Sequence, residues 1–387
     1  MKFFRTKYES FQDKKFAFRE NHCFFHEIYF LSVYHCLRVL NMSEEAKIVE
    51  ILKNEFKSLN LDTFFLSFNE IQDILTPSLA IEYVEKAYRY TAEFKDAIQM
   101  PSKLYFFYQD GDMRVMPSVV EIDGKKVSGI KIVSVHFQNK NRGLPVVIGF
   151  FVLIDSNTGA LLCVMDATYL TAMRTGASGA VAVKHIIDQK QESIKLGIIG
   201  CGVQARTQLA LISCVKKIKD VIIYDISPDA MEKFEKFSQN LGFRPRKANS
   251  LFDFKDCDVV VTITPSTQPF LMLEHVENVK LINAMGADGP GKQELSPEIL
   301  KSSIVIVDNR EQAIHGGEIN VPLKKGQIDK SIIFGEIGEI IAGMKKIPPE
   351  KRVVFDSTGI SILDVFVGYA IYKSAQEKGI LKTLSIH

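Results

Sequence analysis

An α/β chain, in which a parallel-sheet domain is inserted into a β-rich α+β domain, is predicted by three observations. Between residues 190 and 350, apolar runs alternate with helical stretches, the pattern of a parallel sheet with right-handed crossovers. Before that region, four strand-like runs are separated by turn signals and read as a β-rich stretch. After it comes a helix from about Ile360 to Glu377, whose apolar positions suit packing on the first domain instead of the parallel sheet. The boundaries expected are 1–62 for an N-terminal extension of unassigned role, 63–188 with 355–387 for the β-rich domain, and 189–354 for the inserted one.

With 387 residues the chain is long enough to build two cores. A net charge of +2 points to neither nucleic acid nor an anionic membrane as a partner. The six cysteines (Cys23, Cys36, Cys163, Cys201, Cys214 and Cys257) form no C-x-x-C pair and no metal-ligand spacing. They fit reduced thiols in a cytoplasmic protein without a metal site. No run reaches the roughly 20 apolar residues that span a bilayer. The run Ile28–Leu40 is broken by His35 and Arg38, and the N-terminus lacks the order of a secretory signal.

The first 60 residues are rich in Phe, Tyr, His and Lys and weakly periodic. There Ser43-Glu44-Glu45 is a candidate cap for a helix through Leu52 and Phe56, and Met42 is a candidate translation start. Regular structure is expected from Leu66 onward. Leu79, Ile81, Val84, Ala87 and Tyr88 predict a helix leading into Met100-Pro101. Strands are expected at Tyr105–Tyr108, Val127–Phe137, Val146–Ile154 and Ala160–Met165. Turns are expected at Asp110-Gly111-Asp112, Asp123-Gly124 and Asn157-Thr158-Gly159. A helix over about Thr168–Ile187 carries Ala172, Gly176, Ala177, Gly179 and Ala180, small residues that allow close packing. The parallel strands read as Leu196–Ile199, Val221–Tyr224, Val259–Thr264, Lys280–Ala284 and Ile304–Asp308, followed by Val353–Phe355.

The first of these strands runs into Gly200-Cys201-Gly202-Val203-Gln204-Ala205. Gly200 and Gly202 permit a tight turn and close approach of the backbone to a pyrophosphate. Ala205 is the third small position, where helix packs on strand. The phosphates would rest on the free N–H groups of the helix start. Asp225 follows 25 residues after Gly200, at the end of a second strand. It could hydrogen-bond both ribose hydroxyls and would repel a 2′-phosphate, which favours NAD over NADP; the alternative is a glycine turn in an ordinary α/β domain. The cofactor set expected is Gly200, Gly202, Val203, Gln204, Ala205 and Asp225, with Thr264, Pro265, Met285 and Gly286 from later strand ends.

Four further constellations could carry chemistry. Arg114 precedes Met116-Pro117, with Lys103 upstream. Lys131 sits among apolar residues in Gly129-Ile130-Lys131-Ile132-Val133, so it either snorkels from an edge or points at an anion. Arg174 lies in the small-residue stretch Leu170–Gly176 and is as suited to a structural salt bridge as to a ligand. Two turns carry acids: Asp288 in Gly286–Lys292, after a parallel strand, and Asp356 in Asp356-Ser357-Thr358-Gly359, before the last helix. Their bland readings are a turn residue and a helix N-cap. Cations for a carboxylate, acids beside the cofactor, and NAD together fit oxidation of an α-amino acid or reduction of its imine. No H-E-x-x-H or G-x-S-x-G competes.

At these residues the sequence resembles the ornithine cyclodeaminase/μ-crystallin family, from about Leu66 to the C-terminus. The resemblance rests on Met116-Pro117, Gly129-Ile130-Lys131, Gly143-Leu144-Pro145, Met165–Thr168, Leu170–Gly176, Ile199–Gly202, Ala287–Leu295, His315–Ile319 and Asp356–Gly359. The runs Asn283–Leu295 and His315–Asn320 look most like the archaeal-type alanine dehydrogenases within it. The resemblance implies a Rossmann domain inserted in a substrate and dimerisation domain, a homodimer, and a site in the cleft between domains. It would set Lys103, Arg114, Lys131 and Arg174 around a substrate carboxylate. Lys103 would also polarise the keto or imine group, while Asp288 or Asp356 handles water and amine protons. One departure is informative: ornithine cyclodeaminases carry a glutamate two residues before Met-Pro, where this chain has Arg114. A cation there repels a distal amine. Three readings follow: an alanine/pyruvate dehydrogenase, a cyclodeaminase or ketimine reductase, and a crystallin-like nucleotide binder without turnover.

Overall fold

The computed structural model describes residues 42–55 and 62–384, in two units that divide at residues 60 and 61. In the first, α1 (Met42–Glu55) contains Ser43 within its first turn, so Ser43 does not precede the helix as the predicted cap. Phe56, Cys23, Cys36 and the run Ile28–Leu40 lie outside the described residues.

The second unit begins with β1 (Thr63–Leu66) and α2 (Phe68–Ile74), started by a capping box in which Ser67 N donates to the Glu70 carboxylate at 2.8 Å. Thr76 and Pro77 start α3 (Pro77–Glu93), which buries the predicted stripe Ile81, Val84, Ala87 and Tyr88. An antiparallel meander follows: β2 (Leu104–Tyr108), β3 (Gly111–Ile122), β4 (Lys125–His136), β5 (Val147–Asp155) and β6 (Leu161–Asp166). The strand β3, with Pro117 in its middle, is not among the strands expected from the sequence. The fold tolerates that proline because β2 pairs only with residues 111–115, leaving Pro117 past its end with one side unpaired by β2.

Next come α4 (Thr168–Ile186), β7 (Ser193–Ile199), α5 (Val203–Val215), β8 (Lys217–Tyr224), α6 (Pro228–Asn240), β9 (Arg246–Lys247) and β10 (Val259–Thr262). They are followed by β11 (Leu281–Ala284), α7 (Pro297–Lys301), β12 (Ile304–Val307), α8 (Arg310–Gly316), α9 (Asn320–Lys324), β13 (Ile333–Glu336), α10 (Ile337–Ile341), β14 (Val353–Asp356), α11 (Ser361–Glu377) and β15 (Lys382–Leu384). Two sheets result. One has the order β15-β1-β6-β5-β4-β3-β2, and the other, wholly parallel, has the order β13-β12-β14-β11-β10-β7-β8-β9. In the parallel sheet β7 is flanked by β8 on one side and β10 on the other, which makes its carboxyl end the switch point where ligands bind.

The small residues of α4 do what their size suggests. A side chain at Gly176 would collide with the Thr207 backbone, and one at Gly179 with Gln208, so α4 and α5 pack backbone to backbone. Helix α11 is buried nearly all round and lies on β3 and β4, as its apolar composition predicts. It therefore carries its first turn from the end of β14 to the face of the antiparallel sheet, and this crossing brings the two sheets' chemistry together.

Candidate active site

The turn after β7 has the conformation a pyrophosphate requires. Gly200 adopts φ +97°, and a Cβ there would press on the Ile263 carbonyl and the Thr264 methyl. Gly202 caps α5, and nothing lies within 4 Å of where its side chain would project, so the first turn of the helix is open to a ligand. Ala205 is fully buried against the sheet, whereas Val203 is exposed. At the end of β8, Asp225 accepts from Cys201 N at 2.7 Å and from Ser227 N at 2.8 Å. It braces the glycine turn and keeps further lone pairs on both oxygens for ribose hydroxyls. Thr264, exposed Pro265, buried Met285 and Gly286 follow the ends of β10 and β11, on the other side of β7. These residues fit a dinucleotide laid across the switch point; when bound, NAD supplies a hydride acceptor.

Beside this groove the structure gathers all four predicted cations. Lys103 Nζ donates to the Asp288 carbonyl at 3.3 Å and to the Thr358 carbonyl. Burial, opposed by Asp288 and reinforced by Arg114, lowers its pKa to about 8. Lys131, 0% exposed, donates to Asp364 Oδ1 at 2.8 Å, and Arg174 Nε lies 3.1 Å from the same oxygen. Burial and the neighbouring Arg174 pull Lys131 down to about 7 against the pull of Asp364. Gly359, at φ +74°, packs directly on the Arg174 guanidinium, so a side chain there would displace it. The anion that Lys131 points at is thus Asp364 of α11, a residue the sequence reading missed. Its signal was the same as that of Lys131: one charge inside the apolar run Ile362–Val367.

Arg114 faces carboxylates of the protein itself. Its guanidinium is engaged by Asp112 (Nε–Oδ1 2.6 Å) and by Asp288 (Nη1–Oδ2 2.5 Å), both of them protein carboxylates. Lys292 holds the other Asp288 oxygen at 2.6 Å, and the Tyr105 hydroxyl donates to the Asp288 carbonyl at 3.1 Å. Burial pushes the Asp288 carboxyl up, but Arg114, Lys292 and Lys103 outweigh it and hold it well below the usual carboxylate range. Asp288 is therefore a fixed charge and a very weak base.

Asp356 is placed differently from Asp288. It ends β14, is fully buried, and neither carboxyl oxygen makes a hydrogen bond. It does not cap α11, which starts at Ser361 after Ile360. Its carboxylate lies directly against Gly317, and burial with the charges of Asp308 and Glu294 pushes its pKa up to about 8. The acid nearer the cations is Asp308, also missed from the sequence. It accepts from Gly359 N at 2.6 Å, Asn309 N at 2.8 Å and Thr358 Oγ1 at 3.0 Å, and so orders the turn whose carbonyl receives Lys103. A cavity of ≈ 1330 Å³, lined by Val279, Lys280, Arg352 and Val353 among others, opens at the opposite ends of the strands and contains no member of this cluster.

The model of the ornithine cyclodeaminase/mu-crystallin family matches residues 61–379. The chain belongs to that family. Among curated relatives, an alanine dehydrogenase of Archaeoglobus fulgidus is 40% identical over 322 residues, which is 83% of this chain and 97% of the relative. A Δ1-pyrroline-2-carboxylate reductase of Bacillus cereus is 30% identical, covering 81% of this chain and 97% of its own length. Among solved structures, an archaeal alanine dehydrogenase dimer with bound NAD superposes with a TM-score of 0.78 at 39% identity, over 84% of this chain and all of the other. The family fold, with its parallel nucleotide sheet and a second, mostly antiparallel one, is the one described here.

Proposed function

We propose that this chain is an NAD-dependent oxidoreductase of small amino acids, with the reversible conversion of L-alanine to pyruvate and ammonia as its reaction. The observation that carries the reading is the buried Arg114, held charged between Asp112 and Asp288 where a cyclodeaminase would need an acid for a distal amine. With Asp112 and Asp288 both tied to Arg114, no carboxylate is left free there to receive a second ammonium, while a methyl side chain needs none. The similarity to an alanine dehydrogenase supports the same choice.

In this reading the substrate carboxylate meets the two Nη groups of Arg174, which have no acceptor among the described residues, with Lys131 behind them. Lys103 takes the proton from the substrate ammonium, since its pKa of about 8 lets it exchange protons near neutrality. Once protonated, Lys103 polarises the imine and later the keto oxygen. Asp288, too weakly basic to accept that proton, orients Lys103 and the attacking water through its fixed charge. This revises the expectation that a carboxylate is the proton acceptor.

The outer face of the antiparallel sheet supports a homodimer. Leu104, Val115, Ile132 and Phe150 align across β2, β3, β4 and β5, and Phe106 and Ile148 lie on the same face. Leu104, Phe106, Ile148 and Phe150 are exposed, an apolar row suited to a second copy. The test of the activity is NADH consumption with pyruvate plus ammonium, run beside ornithine with NAD and proline analysis. Ammonium-dependent loss of NADH is the expected result. Proline formed from ornithine without net NADH change overturns the assignment, and ammonium-independent reduction of Δ1-pyrroline-2-carboxylate replaces it with an imine reductase.

A further inference from the structure

The segment His315–Asn320 marks the family, yet the proposed chemistry uses none of it. In the structure it forms the back of the loop that leaves β11 and runs from Gly286 to Leu295. Gly316 packs closely on the Gly289 backbone, where a Cβ would come within 3.2 Å of the Gly289 Cα. Asn320 accepts from Gly291 N at 3.0 Å and donates to the Lys292 carbonyl at 3.1 Å. Glu318, 0% exposed, accepts from Glu294 N at 3.0 Å and Leu295 N at 2.9 Å. Glu294, also 0% exposed, then reaches forward. Its Oε1 accepts from Thr264 N and Thr264 Oγ1, each at 2.7 Å, and its Oε2 accepts from Gly286 N at 3.0 Å. A Cβ on Gly286 would strike both the Thr264 carbonyl oxygen and the Glu294 carboxylate, which is why that position is glycine.

Two buried acids in series thus tie together the loops after β10 and β11. Those loops flank β7 on the side away from β8 and Asp225. A dinucleotide whose adenosine ribose meets Asp225 lays its nicotinamide half over Thr264 and Gly286. We propose that Glu294, held by Glu318, is a positioning residue for the nicotinamide half of the bound cofactor. Glu294 serves through acceptor capacity: three donors converge on its two oxygens. A glutamine offers one oxygen and one N–H₂ group, so at least one donor would face another donor. The same carboxylate sets Gly286, two residues before Asp288, so the cofactor loop and the charged cleft loop share one anchor. This inference rests on the NAD reading and is independent of which amino acid is oxidised.

The experiment is a calorimetric titration, without substrate, of wild type and Glu294→Gln with NADH and with ADP-ribose, which lacks the nicotinamide. The expected result is a loss of NADH affinity of about 10- to 100-fold in Glu294→Gln, the range for one hydrogen bond to a charged group. ADP-ribose affinity stays within about twofold of wild type, because Gly202 and Asp225 are untouched. Equal losses for both ligands, or no loss for NADH, overturn the proposal. Should Glu294→Gln fail to fold, Glu318→Gln weakens the support of Glu294 without touching the cofactor groove, and a several-fold loss confined to NADH is expected. Loss of neither ligand, or of both, overturns it again. A wild-type chain that binds ADP-ribose but not NADH would instead remove the cofactor reading itself.

Discussion

On its cleft side, the loop after β11 meets cations: Asp288 is gripped by Arg114 and Lys292, with Lys103 on its carbonyl. On its inner side the same loop meets acids without a cation among their partners: Glu294, Glu318 and Asp356, all 0% exposed. The contrast separates two uses of a buried carboxylate. In front, opposite charges hold Asp288 ionised and make it a fixed electrostatic element. Behind, burial pushes Glu294, Glu318 and Asp356 up, and backbone amides compensate the first two in place of cations. In the proposed reaction the fixed charge orients Lys103, while acceptor capacity holds the loops in place.

The largest way to break this comparison acts on the cation side. Lys103→Met should lower kcat by about 10²- to 10⁴-fold, the range for loss of a general acid–base group. It should also erase the limb of the pH–rate profile near pH 8, where Lys103 titrates. A variant that kept this limb would return Lys103 to carboxylate binding alone.

Next in size is the shared anchor of Lys131 and Arg174. Asp364→Ala leaves the buried Arg174 without its acid and pushes Lys131 further down, and a destabilisation of about 3–5 kcal/mol is expected in chemical denaturation. A loss under about 1 kcal/mol, the size seen for exposed pairs, would show that the cluster is wetter than its burial indicates.

The acid side is sharpened by pH. Folded Asp356 keeps its proton up to about pH 8, whereas in the unfolded chain it ionises near its ordinary value of 3.8. The folded form therefore binds the extra proton across that window, and stability falls as pH rises through it. Asp356→Asn should remove that slope and raise stability above pH 8 by a few kcal/mol, measured as denaturant midpoints across the window. Parallel slopes in variant and wild type would rule out a protonated Asp356.

Much of the frame was legible in the residues because its signals are local. The glycine turn at Gly200, the strand–helix alternation and the helices α3, α4 and α11 follow from periodicity and small-residue spacing. The strand β3 was not legible, since whether Pro117 is tolerated depends on how far β2 extends beside it. At the site, Lys131 and Arg174 stand out as cations in apolar or small-residue surroundings and Lys103 follows from the family resemblance, but their partners were not legible. Asp364 and Asp308 come from segments far away in the chain, and Glu294 looks like any polar loop residue until it is seen under Gly286.

The chain's own order of residues determined the nucleotide turn, the acid that follows it, the four cations and the family to which they belong. Each of these is a short-range pattern whose meaning survives without neighbours. Tertiary structure alone decided which charges meet. It set Arg114 against Asp288, sent Asp356 behind Gly317, and gave Lys131 and Arg174 a common acid on α11. The physical reason is that a side chain's charge state and role depend on burial and on partners a few ångströms away, and the chain brings those partners together only by folding.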